Sequence, residues 1–244
     1  MSLYGQKMRE CGLLQNIQNK GRGPSMKKMM GGGIVISALF LCVRASGADS
    51  PYGVCSHVTR GQEFPTRTTA FKLIRDAGIA SVRSDFDWSG VQPNADTWVF
   101  DHLDTVLDDA EKSGIQILPI LAYNTRFANP AHEHLDAWKT YVRTLVERYQ
   151  TRIPVWEVWN EQNHPGFWKD PDPTAYLSLL KTSYETIKAV NPKLQVAVGG
   201  YAGVPTNYID RLYLAGAKPY FDIMNVHPYS HPGMPEATLE ASIA

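Results

Sequence analysis

From residue 52 onward, short apolar segments alternate with amphipathic segments of helical period. Apolar runs bounded by turn residues favour buried strands, and apolar residues three and four positions apart favour one-sided helices. The predicted strands span residues 52–57, 80–86, 115–122, 153–160, 194–199 and 221–226. The predicted helices span residues 66–77, 101–113, 131–150, 173–190, 208–215 and 235–244. This order predicts an α/β fold with a parallel sheet covered by helices.

Two ways of closing such a sheet fit this order: an open doubly wound sheet and an eight-stranded TIM (β/α)8 barrel. The dinucleotide-binding form of the doubly wound sheet is disfavoured, because no glycine-rich phosphate loop follows the first strand. Polar and aromatic residues collect after the second, fourth, fifth and sixth strands, which is where barrels carry their active sites. The sequence therefore predicts a TIM-type barrel, present as about six βα units.

Composition limits the classes of binding partner that the chain is expected to have. Lys plus Arg and Asp plus Glu number 24 each, so we expect no nucleic-acid partner and no anionic membrane surface. Six Trp and twelve Tyr offer faces that can stack on sugar rings, although most aromatic residues fill cores. We expect no metal site, because Cys55 is the one cysteine beyond residue 48 and is interpreted as a small buried hydrophobe.

The N-terminal segment does not fit the repeat. Lys27 and Lys28 precede an apolar stretch at 34–43 and small residues at 45–48, which is the order of a secretory signal. We therefore expect a secreted or periplasmic protein without stable membrane insertion after signal cleavage. The expected divisions are residues 1–25 as a disordered upstream extension or leader, 26–48 as a signal peptide and 49–244 as a partial barrel domain.

An Asn-Glu pair, Asn160 and Glu161, stands at the end of the fourth predicted strand. A carboxyl and an amide side by side in a pocket suit the cleavage of a glycosidic bond. The Glu can protonate the leaving oxygen, and the Asn can bind the hydroxyl beside the reacting carbon. The alternative interpretation is that Glu161 caps the following helix.

Four segments carry such residues in a fixed order. They are residues 82–101, 114–119, 156–163 and 225–229. Their order and spacing resemble the retaining glycoside hydrolases of clan A, closest to family 39, the β-xylosidase and α-L-iduronidase type. One departure is Gln162, where the family usually has Pro. The resemblance implies O-glycosidic bond hydrolysis by double displacement, with an oligosaccharide, polysaccharide or glycoside as substrate and without a cofactor.

The resemblance also implies residue roles. Glu161 would be the general acid/base, and Asn160 would bond the sugar hydroxyl beside the anomeric carbon. Arg83 would hold the nucleophile ionised through its opposite charge. The alternative for Arg83 is a structural ion pair with Asp85 or Asp87.

Further residues are predicted to contact the sugar. His227 and Tyr229 are interpreted as lying two positions apart on one strand, so their side chains are expected to point the same way. The resemblance places them in the reactive subsite, and packing in the core is the alternative for both. The remaining candidates, each with packing as its alternative, are Trp88, Trp168, Tyr123 and His57.

A retaining mechanism needs a second carboxylate about 5 Å from the first. The resemblance implies that this nucleophile stands on a seventh strand. The sequence ends at Ala244, inside the sixth predicted helix, so we expect this chain to lack the nucleophile and to have little or no activity. A non-catalytic sugar-binding or decayed barrel protein is the alternative function. An esterase of the doubly wound type is disfavoured, because no Gly-x-Ser-x-Gly elbow is present.

Overall fold

A parallel six-stranded sheet organises the part of the chain that the computed structural model describes, residues 50–60, 66–229 and 233. The strands are β1 (Gly53–Cys55), β2 (Ser81–Asp87), β3 (Gln116–Ala122), β4 (Val155–Asn160), β5 (Gln195–Ala202) and β6 (Val226–His227). Each strand pairs in parallel with the next one along the chain. A doubly wound sheet would reverse its strand order part-way. The predicted barrel order is therefore confirmed over these six strands.

Helices connect successive strands. They are α1 (Arg67–Asp76), α2 (Trp88–Val91), α3 (Asp101–Lys112), α4 (Leu135–Tyr149), α5 (Pro173–Val190) and α6 (Thr206–Leu214), with 3-10 turns at Ala131–Glu133 and Lys218–Tyr220. Local sequence explains their ends. Asp172 accepts hydrogen bonds from the backbone N–H groups of Thr174 and Ala175 and thereby caps α5. None of the described helices is long and apolar enough to cross a membrane.

The predicted boundaries hold to within a few residues, with three differences. The third predicted helix divides, because His134 has non-helical dihedral angles between the 3-10 turn and α4. The short helix α2 was not predicted. The sixth strand was predicted at 221–226 but lies at Val226–His227. Ile223 forms only an isolated parallel bridge with Ala197, and the side chain of Asp222 accepts the N–H of Val196. The predicted helix at 235–244 and the N-terminal divisions up to residue 49 fall outside the described residues.

The core lies between the sheet and the helices. Val82 and Phe86 of β2 and Trp156 and Val158 of β4 are fully buried there. Tyr176 of α5 joins two strands from this side: its hydroxyl donates to the Val158 carbonyl at 2.9 Å and accepts the Gly199 N–H at 2.9 Å. These contacts set β4 against β5, and β4 carries the Asn-Glu pair.

Candidate active site

A cleft of about 580 Å³ lies where the strands end. Seven of the nine predicted site residues line it: His57, Arg83, Tyr123, Asn160, Glu161, His227 and Tyr229. They come from different βα units and meet because the carboxyl ends of parallel neighbouring strands share one edge of the sheet.

Glu161 stands just past the end of β4. The backbone of Trp159 has φ 72° and that of Glu161 has φ 49°, so the chain turns sharply on both sides of Asn160. The Glu161 N–H donates to the Gly200 carbonyl at 2.8 Å and keeps this turn beside β5. Its carboxylate Oε1 lies 2.9 Å from Nδ1 of His227, and the two side chains are 15% and 12% exposed. The carboxyl group is thus shielded, faces the cleft and has one polar side-chain partner among the described residues.

Asn160 presents its amide in a defined orientation. Arg83 Nη2 lies 2.8 Å from Asn160 Oδ1. A guanidinium only donates hydrogen bonds, so the amide oxygen of Asn160 must face it. The NH2 group of Asn160 is consequently the part left to donate to a ligand in the cleft.

Glu157 of β4 is the partner of Arg83. Its Oε2 accepts Arg83 Nε at 2.7 Å and its Oε1 accepts Arg83 Nη2 at 2.8 Å. Oε1 also accepts the Gly200 N–H at 2.8 Å and Asn225 Nδ2 at 3.0 Å. Glu157 is fully buried, so these donors replace its hydration.

The structural ion pair proposed for Arg83 therefore involves a different residue from those predicted. Its partner is Glu157, and neither Asp85 nor Asp87 pairs with it. Burial by itself lowers the pKa of Arg83, but the hydrogen bonds and charge of Glu157 outweigh burial and leave the pKa above its ordinary value.

Asp85 lines the cleft together with His57 and Arg60. Its Oδ2 lies 3.2 Å from His57 Nδ1 and 2.9 Å from Arg60 Nη2, and the carboxylate is almost wholly buried. If the His57 Nδ1 carries a proton toward this carboxylate, its Nε2 is left as an acceptor. Arg60 and Asp85 were not among the predicted site residues.

Aromatic side chains form one side of the cleft. Tyr123 stacks on Phe167 with ring centroids 6.2 Å apart and meets Trp159 edge-on at 5.4 Å. Burial raises the pKa of the Tyr123 hydroxyl above its ordinary value. Phe167 is 41% exposed and lines the cleft, but sequence reasoning missed it. The sequence held one signal for a cleft position: Phe167 lies six residues after Glu161, in the loop that leads to α5.

Two predicted sugar platforms, Trp88 and Trp168, are buried. Trp88 is fully buried, stacks on Tyr141 at 5.2 Å and donates its indole N–H to Gln92. Trp168 is 3% exposed, lies outside the cleft and is covered by the ring of His132 at 4.9 Å. Neither indole has a face open to a sugar ring in the cleft, because packing occupies both.

Tyr229 differs from its prediction in placement. It lies beyond the end of β6, is 77% exposed and has its ring centroid 5.8 Å from that of His227. The two residues share the cleft but not a strand. Within residues 50–60, 66–229 and 233, no group of three or more His, Cys, Asp or Glu residues is placed to hold a metal ion.

Comparison with known proteins identifies the family. A family model for glycosyl hydrolases family 39 matches residues 90–238, more than half of the chain. The chain belongs to this family. The matched range contains Asn160, Glu161 and His227, while Arg83 precedes it.

Relatives of family 39 share both sequence and fold with the chain. The β-xylosidase of Geobacillus stearothermophilus is 30% identical over 104 residues, which are 41% of this chain and 21% of the relative. The structure of a family 39 glycoside hydrolase from Bacteroides cellulosilyticus WH2 is 30% identical with a TM-score of 0.65, over 75% of this chain and 39% of that one. The fold of a Caulobacter crescentus β-xylosidase matches with a TM-score of 0.63 at 19% identity, over 78% of this chain and 50% of that one.

These matches confirm the predicted family and the TIM-type α/β fold. The chain spans a fifth to a half of the length of these three relatives. The family 39 domain identifies the chain as glycosidase-related.

Proposed function

We propose that the protein hydrolyses glycosides with retention of anomeric configuration and that Glu161 is its general acid/base. The observation that carries this proposal is the contact between Glu161 Oε1 and His227 Nδ1 at 2.9 Å, within a cleft that Asn160 also lines. A carboxyl that serves as acid and then as base needs a fixed position beside the scissile oxygen. Membership of family 39 supports the same role.

In the first step, a carboxylate nucleophile attacks the anomeric carbon and the bond to the aglycone oxygen breaks. Glu161 gives its proton to that oxygen, so the aglycone leaves as a neutral alcohol. In the second step, Glu161 takes a proton from water while the water oxygen attacks the anomeric carbon and releases the nucleophile. The Asn160 amide donates to the adjacent sugar hydroxyl throughout.

The nucleophile is proposed to be neither Asp85 nor Glu157. The carboxylate of Asp85 lies within hydrogen-bonding distance of His57 and Arg60. Both carboxylate oxygens of Glu157 accept hydrogen bonds from Arg83. A carboxylate held in this way is a poor nucleophile, since attack would cost its charge-assisted hydrogen bonds. The second carboxylate is therefore proposed to lie outside the described residues, and we propose that residues 50–229 by themselves bind a sugar without turnover.

The test uses the protein as its own gene produces it. Para-nitrophenyl glycosides form the substrate panel, with the β-xyloside first because two of the relatives are β-xylosidases. Replacement of the general acid, Glu161→Gln, is expected to lower kcat/KM by roughly 10² to 10⁴. Glu147→Gln is the matched control, because Glu147 is an exposed acid on α4.

Product stereochemistry tests the mechanism separately. Proton NMR of the first sugar released is expected to show the substrate's own anomeric configuration. An inverted first product would contradict the double displacement. Binding of the glycoside without turnover by the whole protein would favour the alternative, a non-catalytic sugar-binding barrel.

We also propose that the protein is exported, on the charge and hydropathy pattern of residues 26–48. These residues lie outside the described ones. N-terminal sequencing of protein recovered from outside the cytoplasm is expected to begin near Asp49. A mature product that retained residues 27–40 would contradict export by cleavage.

A further inference from the structure

Glu161 is carried by backbone that has already left β4. The register between β4 and β5 ends with Asn160 opposite Gly200. Trp159 and Glu161 both have positive φ, which side chains larger than glycine rarely adopt unless the surroundings impose it. The position of the Glu161 carboxyl therefore depends on what secures the residues immediately after it.

The side chain of Asn163 continues the pairing with β5 after β4 has ended. Its Nδ2 donates to the Ala202 carbonyl at 3.0 Å, and its Oδ1 accepts the Ala202 N–H at 2.9 Å. A primary amide offers the same donor and acceptor as a peptide group. Asn163 thus engages both backbone polar groups of Ala202, the last residue of β5. Gln162 adds a second tie, since its Nε2 donates to the Gly199 carbonyl at 2.9 Å.

Ala202 connects this pairing to the partner of the Glu161 carboxyl. It stands opposite His227 in the register between β5 and β6. The next residue, Gly203, donates its N–H to the His227 carbonyl at 3.0 Å. His227 in turn lies 2.9 Å from Glu161 Oε1. The contacts form a closed circuit from Asn163 through Ala202 and His227 to Glu161.

We propose that Asn163 is a positioning residue for Glu161, acting on its backbone through the turn and on its carboxyl through Ala202 and His227. This inference rests on the proposed function of Glu161 as general acid/base. Loss of the Asn163 amide would free the turn and the end of β5 together. The Glu161 carboxyl would then lie within hydrogen-bonding distance of the leaving oxygen less often, while the shape of the sugar subsite would be unchanged.

The test compares leaving groups on the whole protein. The dinitrophenolate group of a dinitrophenyl xyloside leaves without protonation. Departure of the para-nitrophenolate group from a para-nitrophenyl xyloside depends more on the general acid. For Asn163→Ala we expect kcat/KM to fall ~30-fold with para-nitrophenyl xyloside and less than ~3-fold with dinitrophenyl xyloside. Asn163→Asp keeps the acceptor for the Ala202 N–H but loses the donor, and is expected to show the same selectivity. The control is Asn191→Ala, since Asn191 secures a loop by accepting the Lys193 N–H before β5 begins.

Equal losses with both leaving groups, or none, would overturn the positioning role. Failure of the proposed function is distinguishable, because Glu161→Gln would then also lack leaving-group selectivity. Hydrogen exchange provides a readout independent of turnover. Faster exchange of the Glu161 and Ala202 amides in Asn163→Ala, with unchanged exchange in α4, supports the circuit, and unchanged exchange at both amides overturns it.

Discussion

Arg83 and Glu157 are joined by two hydrogen bonds of 2.7 and 2.8 Å across residues that are 74 positions apart in the chain. The carboxylate is fully buried and the arginine side chain is 17% exposed. The same guanidinium orients Asn160, and the same carboxylate holds the Gly200 N–H. One ion pair therefore links β2, β4 and β5 beneath the cleft.

The first prediction concerns this pair. Glu157→Gln removes the charge but keeps the shape, so Arg83 is left without its buried counter-charge. We expect the free energy of unfolding to fall by about 3 kcal/mol, as for other buried pairs that lose one partner. Chemical denaturation measures the loss, with Glu147→Gln as an exposed control. A loss below about 1 kcal/mol would show that water or another group compensates Arg83.

The second prediction concerns Gly200. A Cβ added there would stand 2.1 Å from Nε2 of His227. His227 must then move, and its contact with Glu161 is broken. We expect Gly200→Ala to lower kcat/KM for para-nitrophenyl xyloside by roughly 100-fold, the effect of displacing a catalytic contact by about 1 Å.

Gly90→Ala is the control for this steric effect, because its added Cβ would meet only the Asp87 Cβ at 3.9 Å. The control is expected to retain activity. A Gly200→Ala protein with full activity would mean that the contact between His227 and Glu161 is dispensable.

The third prediction concerns the aromatic wall. Phe167→Ala removes an exposed ring that stacks on Tyr123 and lines the cleft. We expect KM to rise roughly fivefold with little change in kcat, because stacking worth about 1 kcal/mol stabilises the ground and transition states alike. Tyr213→Ala is the matched control, since Tyr213 is also 41% exposed but does not line the cleft. Equal KM values for Phe167→Ala and the unmodified protein would exclude Phe167 from substrate contact.

The fourth prediction concerns pH. Asp104 of α3 accepts hydrogen bonds from Arg148 and Tyr149 of α4, and the bond from Arg148 is the main cause of its lowered pKa. Because the folded pKa lies below the unfolded value of 3.8, the stabilisation is present above that pH and is lost as the pH falls through the folded pKa. The Asp104→Asn variant should therefore be less stable than the unmodified protein at neutral pH. The difference in stability between the two should be smaller in strong acid. Thermal unfolding across that range provides the measurement, and a constant difference would contradict the pKa shift.

Sequence alone predicted most of the elements and the order in which they follow one another. The apolar period placed α5 at Pro173–Val190 without error, because periodicity is a local property. The Asn-Glu pair was recognised for the same reason, since its placement after a buried strand is readable within ten residues.

Only the tertiary structure decided which side chains meet and which are accessible. Trp88 and Phe167 are both aromatic residues near a strand end, but one is fully buried by Tyr141 and the other is open to the cleft. The partners of Arg83 and Glu161 stand on other strands, at Glu157 and His227. Such contacts depend on how parallel strands are brought into register across long separations in sequence, and the local pattern of a strand does not specify its neighbour's side chains.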